Sequence, residues 1–156
     1  MPGTEDDPAV IPALLRAARG AYAAAIRVEL ESDGIDDLPR NGAFVLGGLA
    51  NHGASPGDVI RDLRVSKQAA SQLIDTLVVR GFLERRIDES DRRRLQIELT
   101  PRGRAAAAAV RRGVVAVDEE LARRVAPVEL AGLRAGLLAL AEIKERTRHD
   151  GQPTDL

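Results

Sequence analysis

Past Gly81 the apolar residues of this chain stop recurring every three or four positions and begin to recur every two. Leu83, Arg85 and Ile87 alternate with Glu84 and Arg86. After the polar run 88–94, Leu95, Ile97 and Leu99 alternate with Gln96 and Glu98. A period of two sends successive side chains to opposite faces of a strand, so this window predicts a β-hairpin with a long charged tip. Thr100-Pro101 then supplies the cap and first-turn residues that open a helix. The rest of the chain between its polar ends reads as helical, and the fold class expected is mainly α with one small β-hairpin (α+β).

Ahead of the hairpin, Ile11, Leu15, Ala18, Tyr22, Ala25 and Ile26 mark one long amphipathic helix from Pro8 to about Glu31, ended by Asp33-Gly34 and Asp36-Asp37. Pro39 suits the first turn of a second helix carrying Phe44, Val45, Leu46 and Leu49. Gly42, Gly47 and Gly48 weaken that helix by roughly 1 kcal/mol each relative to Ala, which makes sense if another backbone packs closely against it. Ser55, Pro56 and Asp58 form a cap that opens a short helix with Val59, Ile60 and Leu63. Ser66 caps the next helix, which runs through Arg80 with Ala70, Leu73, Ile74, Leu77 and Val78 on its buried side and Gly81 at its C-terminal cap. Two short helices across a tight turn, followed by a hairpin, make a winged helix-turn-helix, expected over residues 38–100.

Two long helices follow. Val110, Val114, Val117, Leu121 and Val125 form one stripe; past Pro127, Leu130, Leu133, Leu137, Leu140 and Lys144 form another. Steps of three and four in alternation are what coiled-coil-like packing requires. The head does not need so long a helical hairpin to cover it. Residues 9–37 and 101–148 therefore read as a dimerisation region, with an intramolecular bundle as the competing arrangement. Residues 1–8 and 149–156 are polar and rich in Gly, Pro and Asp, and read as disordered tails.

Tyr22, Phe44 and Phe82 are the only aromatic residues, so the core must be built from Leu, Val, Ile and Ala, which favours closely packed helices. The absence of cysteine excludes disulfides, thiolate zinc sites and thiol redox sensing. His52 and His149 stand far apart with no ligand cluster around either, and read as surface histidines. No run approaches the ~20 apolar residues of a membrane span, and the acidic N-terminus has no apolar segment of signal type; a cytoplasmic protein without a membrane partner is expected. The net charge of -1 hides an asymmetry. Residues 1–60 carry four basic against nine acidic groups, residues 61–112 thirteen against seven, and residues 113–156 six against eight. A basic middle between acidic ends suits a localised face for a polyanion, though a solvated charge run gives the same tally.

A helix can enter the major groove of double-stranded DNA if one face is anchored and the other offers polar groups. In the helix opened by Ser66, the anchors are Val65, Ala70, Ile74 and Leu77, and the free face is Ser66, Lys67, Gln68, Ser71 and Gln72. Gln can pair with adenine through two bonds, Lys can reach guanine or phosphate, and Ser adapts to either. No acid interrupts that face until Asp75. The hairpin tip holds the densest cationic cluster, Arg92, Arg93 and Arg94, which suits a narrow, electronegative minor groove. Asp88 and Asp91 would repel phosphate, so they are assigned to bracing the loop by pairing with an arginine.

The run Asp88-x-x-Asp91-Arg92-Arg93, with Leu99-Thr100-Pro101-x-Gly103 after it, resembles the wing signature of the MarR family of bacterial regulators. Leu38-Pro39 through Val45-Leu46, and Val65-Ser66 through Arg80-Gly81-Phe82-Leu83, are similar to that family's second and recognition helices. The resemblance covers about residues 10–146. It implies a homodimer, joined by its terminal helices, that binds a pseudo-palindromic operator and usually represses nearby genes. It also implies release by a small molecule, often phenolic or anionic, bound between dimer region and DNA-binding lobes. By position, Ser66, Lys67, Gln68, Ser71 and Gln72 would face the major groove, Arg92 and Arg93 the minor groove, and Asp91 would brace the wing. The family's peroxide-sensing branch uses a cysteine near the N-terminus, which this chain lacks.

No paired carboxylates, nucleophile–base arrangement, phosphate loop or metal cluster suggests an enzyme, and no cofactor is expected. The competing reading of the head is a protein-interaction module that no longer reads DNA. The arginine tip and the acid-free helix face count against it.

Overall fold

The computed structural model describes residues 10–52, 61, 65–87 and 95–149. In chain order they form α1 (Val10–Ser32), α2 (Gly42–His52), α3 (Lys67–Val79), β1 (Leu83–Ile87), β2 (Leu95–Leu99), α4 (Pro101–Arg124) and α5 (Pro127–His149). The strands pair antiparallel from Leu83 opposite Leu99 to Ile87 opposite Leu95, and the described residues are mainly helical with one two-stranded hairpin. Apart from Arg61, the short helix expected from Ser55 lies outside the described residues, as do residues 1–8 and 150–156 of the expected tails. His149, placed with the C-terminal tail by composition, is the last residue of α5. No described helix is long and apolar enough to cross a membrane.

The chain divides into two compact units, residues 1–117 and 118–156. The core of the first gathers Leu30 from α1, Ile35 from the loop after it, Val45 and Leu46 from α2, and Ile74 and Leu77 from α3. Phe82 and Leu83 join it from the start of the hairpin, with Ala106, Ala107, Ala109 and Val110 from α4. Phe82 alone is aromatic, and burying a side chain of that size contributes roughly 1.5–3 kcal/mol. The remaining members are the Leu, Val, Ile and Ala that the composition demanded.

One boundary and one packing contact differ from expectation for local reasons. α2 begins at Gly42, not at Pro39, because Asn41 adopts a left-handed φ of 67°. The Gly42 N–H donates to the Pro39 carbonyl at 2.8 Å, so a turn closes before the helix can start; Asn tolerates that conformation better than most residues. The close helix–helix backbone approach expected of the α2 glycines is not found at Gly42 or Gly47, and one is found on α4. A Cβ on Gly47 would meet only the Val110 side chain at 3.8 Å, whereas one on Gly113 would lie 2.6 Å from the Ile26 Cα. α1 and α4 therefore touch backbone to backbone, which a spacing rule for single helices does not reveal.

In the second unit, Pro127 occupies the first turn of α5 and Glu129 Oε2 accepts from the Ala126 N–H at 2.7 Å. That is the glutamate half of a capping box, with alanine unable to supply the other half. At the end of α4, Glu120 accepts from Arg123 Nη2 at 2.6 Å and Arg124 Nε at 2.7 Å. These bonds, Arg123 first, hold its carboxyl below the ordinary carboxylate value.

Candidate nucleic-acid interface

α3 is built to present its leading end. Ser66, extended at φ -62° and ψ 154°, accepts from the Ala69 N–H at 3.1 Å, and no acid stands in the first turn. Ala70, Ile74 and Leu77 are buried beneath it. Ser66, Lys67, Gln68, Ser71 and Gln72 are all exposed; by spacing Gln68 and Gln72 stand opposite the buried stripe, Ser71 flanks it, and Lys67 continues it into the exposed leading end. Val65, expected as a further anchor, is half-buried.

The trailing end is closed by backbone geometry. Gly81 has a φ of 74°; the Phe82 N–H donates to the Leu77 carbonyl at 2.9 Å and the Gly81 N–H to the Val78 carbonyl at 3.0 Å. This is the Schellman pattern, which needs a residue free of the left-handed penalty at the glycine position. Thr100 ties the two hairpin ends together. Its hydroxyl donates to the Gly81 and Phe82 carbonyls at 2.5 and 3.1 Å and accepts from the Gly103 N–H at 3.0 Å, so one side chain caps α4 and closes the base of the hairpin.

Three arginine contacts brace this frame, none of them evident from spacing. Arg85 of β1 pairs with Asp75 of α3, fixing the first strand to the helix. Arg86 lies between Glu84 at 3.0 Å and Glu98 at 3.4 Å, offsetting two carboxylates that the register places opposite one another. Arg102 of α4 grips the Asp37 carboxylate at 2.7 and 3.3 Å, donates to the Arg80 carbonyl, and stands 4.3 Å above the Phe82 ring. Further up α4, Arg112 donates to Glu29 at 2.7 Å and Asp33 at 2.8 Å of α1 and its loop. Those bonds, Glu29 first, raise the Arg112 pKa. Arg80, Arg85, Arg86, Arg102, Arg104 and Arg112 all have internal partners. The cationic surplus of residues 61–112 is thus in good part structural, which the charge tally alone concealed.

The wing-tip residues Asp88, Asp91, Arg92, Arg93 and Arg94 lie outside the described residues. Of the two strands flanking the tip, β1 follows α3 directly and is paired with it through Arg85 and Asp75.

Between α1, α2 and the leading part of α4, lined wholly by residues of the first unit, opens a cleft of about 910 Å³. Ile26, Leu30 and Val110 form apolar parts of its wall, Arg19, Arg27 and Arg40 line it with cations, and Glu31 and Asp36 with anions. Tyr22 and Phe44, two of the three aromatic residues, line it as well. The first two helices are aromatic-poor in total, yet the fold concentrates what they have on one cavity. Among the described residues no group of His, Asp or Glu could hold a metal ion.

Residues 36–94 match the sequence profile described as the MarR family. Transcriptional repressor MprA of Escherichia coli (strain K12) is 32% identical over 74 residues, which cover 47% of this chain and 42% of that protein. The match thus spans about two-fifths of the length of the curated relative. The crystal structure of a MarR family transcription regulator superposes with a TM-score of 0.68 at 25% identity, covering 91% of this chain and 92% of that one. FabT of Streptococcus pneumoniae, crystallised in complex with DNA, superposes with a TM-score of 0.75 at 22% identity, covering 90% and 99%. Profile, relative and superposed folds agree with the helix–hairpin–helix order built above from capping, register and core packing: residues 36–94 of this chain are a MarR family domain.

Proposed function

We propose that this chain is a transcriptional repressor that binds a pseudo-palindromic DNA operator as a homodimer and is released by a small molecule. The observation that carries the reading is the exposed, acid-free leading face of α3, anchored beneath and bonded to the adjacent strand through Asp75 and Arg85. Residues 38–100 serve as the DNA-binding part, with Ser66, Lys67, Gln68, Ser71 and Gln72 reading base edges in the major groove. Arg92, Arg93 and Arg94 enter the minor groove, and Asp88 and Asp91 brace them. Residues 9–37 and 101–148 supply the dimer region, which sets the two reading helices about one helical turn, ~34 Å, apart. The DNA complex of FabT and the repressor name of MprA support operator binding and its sign. The cleft between α1, α2 and α4 suits an aromatic anion, since the aromatic Tyr22 and Phe44 and the cationic Arg19 and Arg40 are among the residues that line it.

The test is competition between a fragment from the chain's own locus and random duplex DNA at about 150 mM salt, where counterion-driven binding is weakened. The own-locus fragment is expected to win by at least about a hundredfold. Equal binding of both defeats operator reading. Gln68→Ala and Gln72→Ala are expected to change base preference, and Arg92→Ala and Arg93→Ala to weaken binding to all sequences alike.

A further inference from the structure

The loop that joins α1 to α2 has two employments. Ile35, Asp36, Leu38, Pro39, Arg40 and Asn41 line the cleft and form its lip. Asp37, set among them, is engaged elsewhere. Its carboxylate receives both Nη atoms of Arg102, at 2.7 and 3.3 Å, and its carbonyl accepts from the Arg80 guanidinium. Arg102 in turn donates to the carbonyl of Arg80, the C-cap residue of α3, and covers the ring of Phe82 at 4.3 Å. The three residues thus close a ring of hydrogen bonds: lip to α4, α4 to the end of α3, and the end of α3 back to the lip. Asp37 and Arg102 are 65 positions apart in sequence, and their side chains remain 38% and 41% exposed. A bidentate fork is directional, so it transmits a displacement that a single point charge would absorb by rotating.

We propose that Asp37 and Arg102 are positioning residues that make the lip of the cleft and the trailing end of α3 move as one piece, so that whatever shifts the lip re-aims the reading helix. The consequence for DNA rests on α3 being that reading helix; the mechanical coupling does not. Arg102 does not act as a phosphate contact in this scheme. The two roles give opposite signs for Asp37: removing its negative charge strengthens DNA binding if charge alone matters, and weakens operator binding if the joint matters.

Amide hydrogen exchange of the full-length chain, free of DNA, tests the coupling with wild type, Asp37→Asn, Arg102→Gln and the double variant. Each single variant is expected to speed exchange several-fold, on the order of fivefold, in both peptides 35–41 and 77–82, with 104–113 unchanged and no addition in the double. Faster exchange in only one of the two segments, or additive effects in the double, overturns the joint. Arg102→Lys keeps the charge without the fork and gives the same reading if the glutamine variant loosens the whole fold. On the own-locus fragment, Asp37→Asn is expected to lower affinity about fivefold while random duplex binds as before or more tightly. Tighter operator binding by Asp37→Asn overturns the proposal, and so does a salt slope reduced by about one in Arg102→Gln, the mark of a lost phosphate contact. If wild type itself fails to prefer the own-locus fragment, operator reading is what fails, and the exchange result still decides the joint.

Discussion

A methyl group added at residue 103 would lie 1.9 Å from the carbonyl oxygen of Phe82. That oxygen is held in place, because it accepts from both the N–H and the hydroxyl of Thr100 at 3.1 Å. Gly103→Ala must therefore push α4 off the end of α3, and the expected loss is about 3 kcal/mol, at the severe end of overpacking. Gly20→Ala is its counterpart. A Cβ there meets nothing within 4 Å, so only helix propensity changes and stability should rise by roughly 0.5–1 kcal/mol. Denaturant midpoints check both signs, and an unmoved midpoint for Gly103→Ala would mean that the Phe82–Thr100 junction yields freely. Residue roles set by local chemistry were legible in the sequence: the caps Ser66, Gly81 and Thr100 act within a few positions of themselves. Asp75 with Arg85, or Asp37 with Arg102, were not, since 10 and 65 residues separate the partners and no periodicity links them.

At the scale of elements, the period of two fixed the hairpin to the residue, and the structure pairs Leu83 with Leu99 and Ile87 with Leu95 as the alternation requires. The same register sets Glu84 against Glu98, a like-charge pair that destabilises a ladder unless something intervenes. Arg86 intervenes, on the same strand as one of them. Exposed ion pairs are individually weak, so the consequence of losing Arg86 is the uncovered repulsion. Arg86→Gln is expected to cost roughly 0.5–1 kcal/mol, and adding Glu84→Gln to regain most of it. Thermal unfolding of the two variants separates repulsion from packing, because a packing loss would survive the second substitution. Where element boundaries slipped, as at α2, the cause was a single left-handed Asn41 that hydrophobic spacing cannot register.

At the scale of the whole molecule, the charge tally and the apolar stripes are read differently once the fold is in hand. Residues 61–112 carry thirteen basic groups, but many hold the head together, so the groove contact proposed above draws on the exposed α3 face and the tip arginines more than on net charge. The apolar stripes lead the other way. Ile11 and Leu14 on α1 remain 52% and 61% exposed, and Leu133, Leu137, Leu140 and Ile143 on α5 between 42% and 51%. Apolar residues left exposed along one helix, as on α5, suit an interface, and the homodimer proposed above needs one. Leu137→Gln with Leu140→Gln adds no charge and so leaves the electrostatic attraction to DNA alone. The expected outcome is a monomer by sedimentation, with affinity for the own-locus fragment down by about a hundredfold or more and random-duplex affinity down far less. A variant that still sediments as a dimer would remove this stripe from the interface. A monomer that keeps full operator affinity would show that one reading helix suffices, and the two-fold geometry proposed for the operator would fall with it.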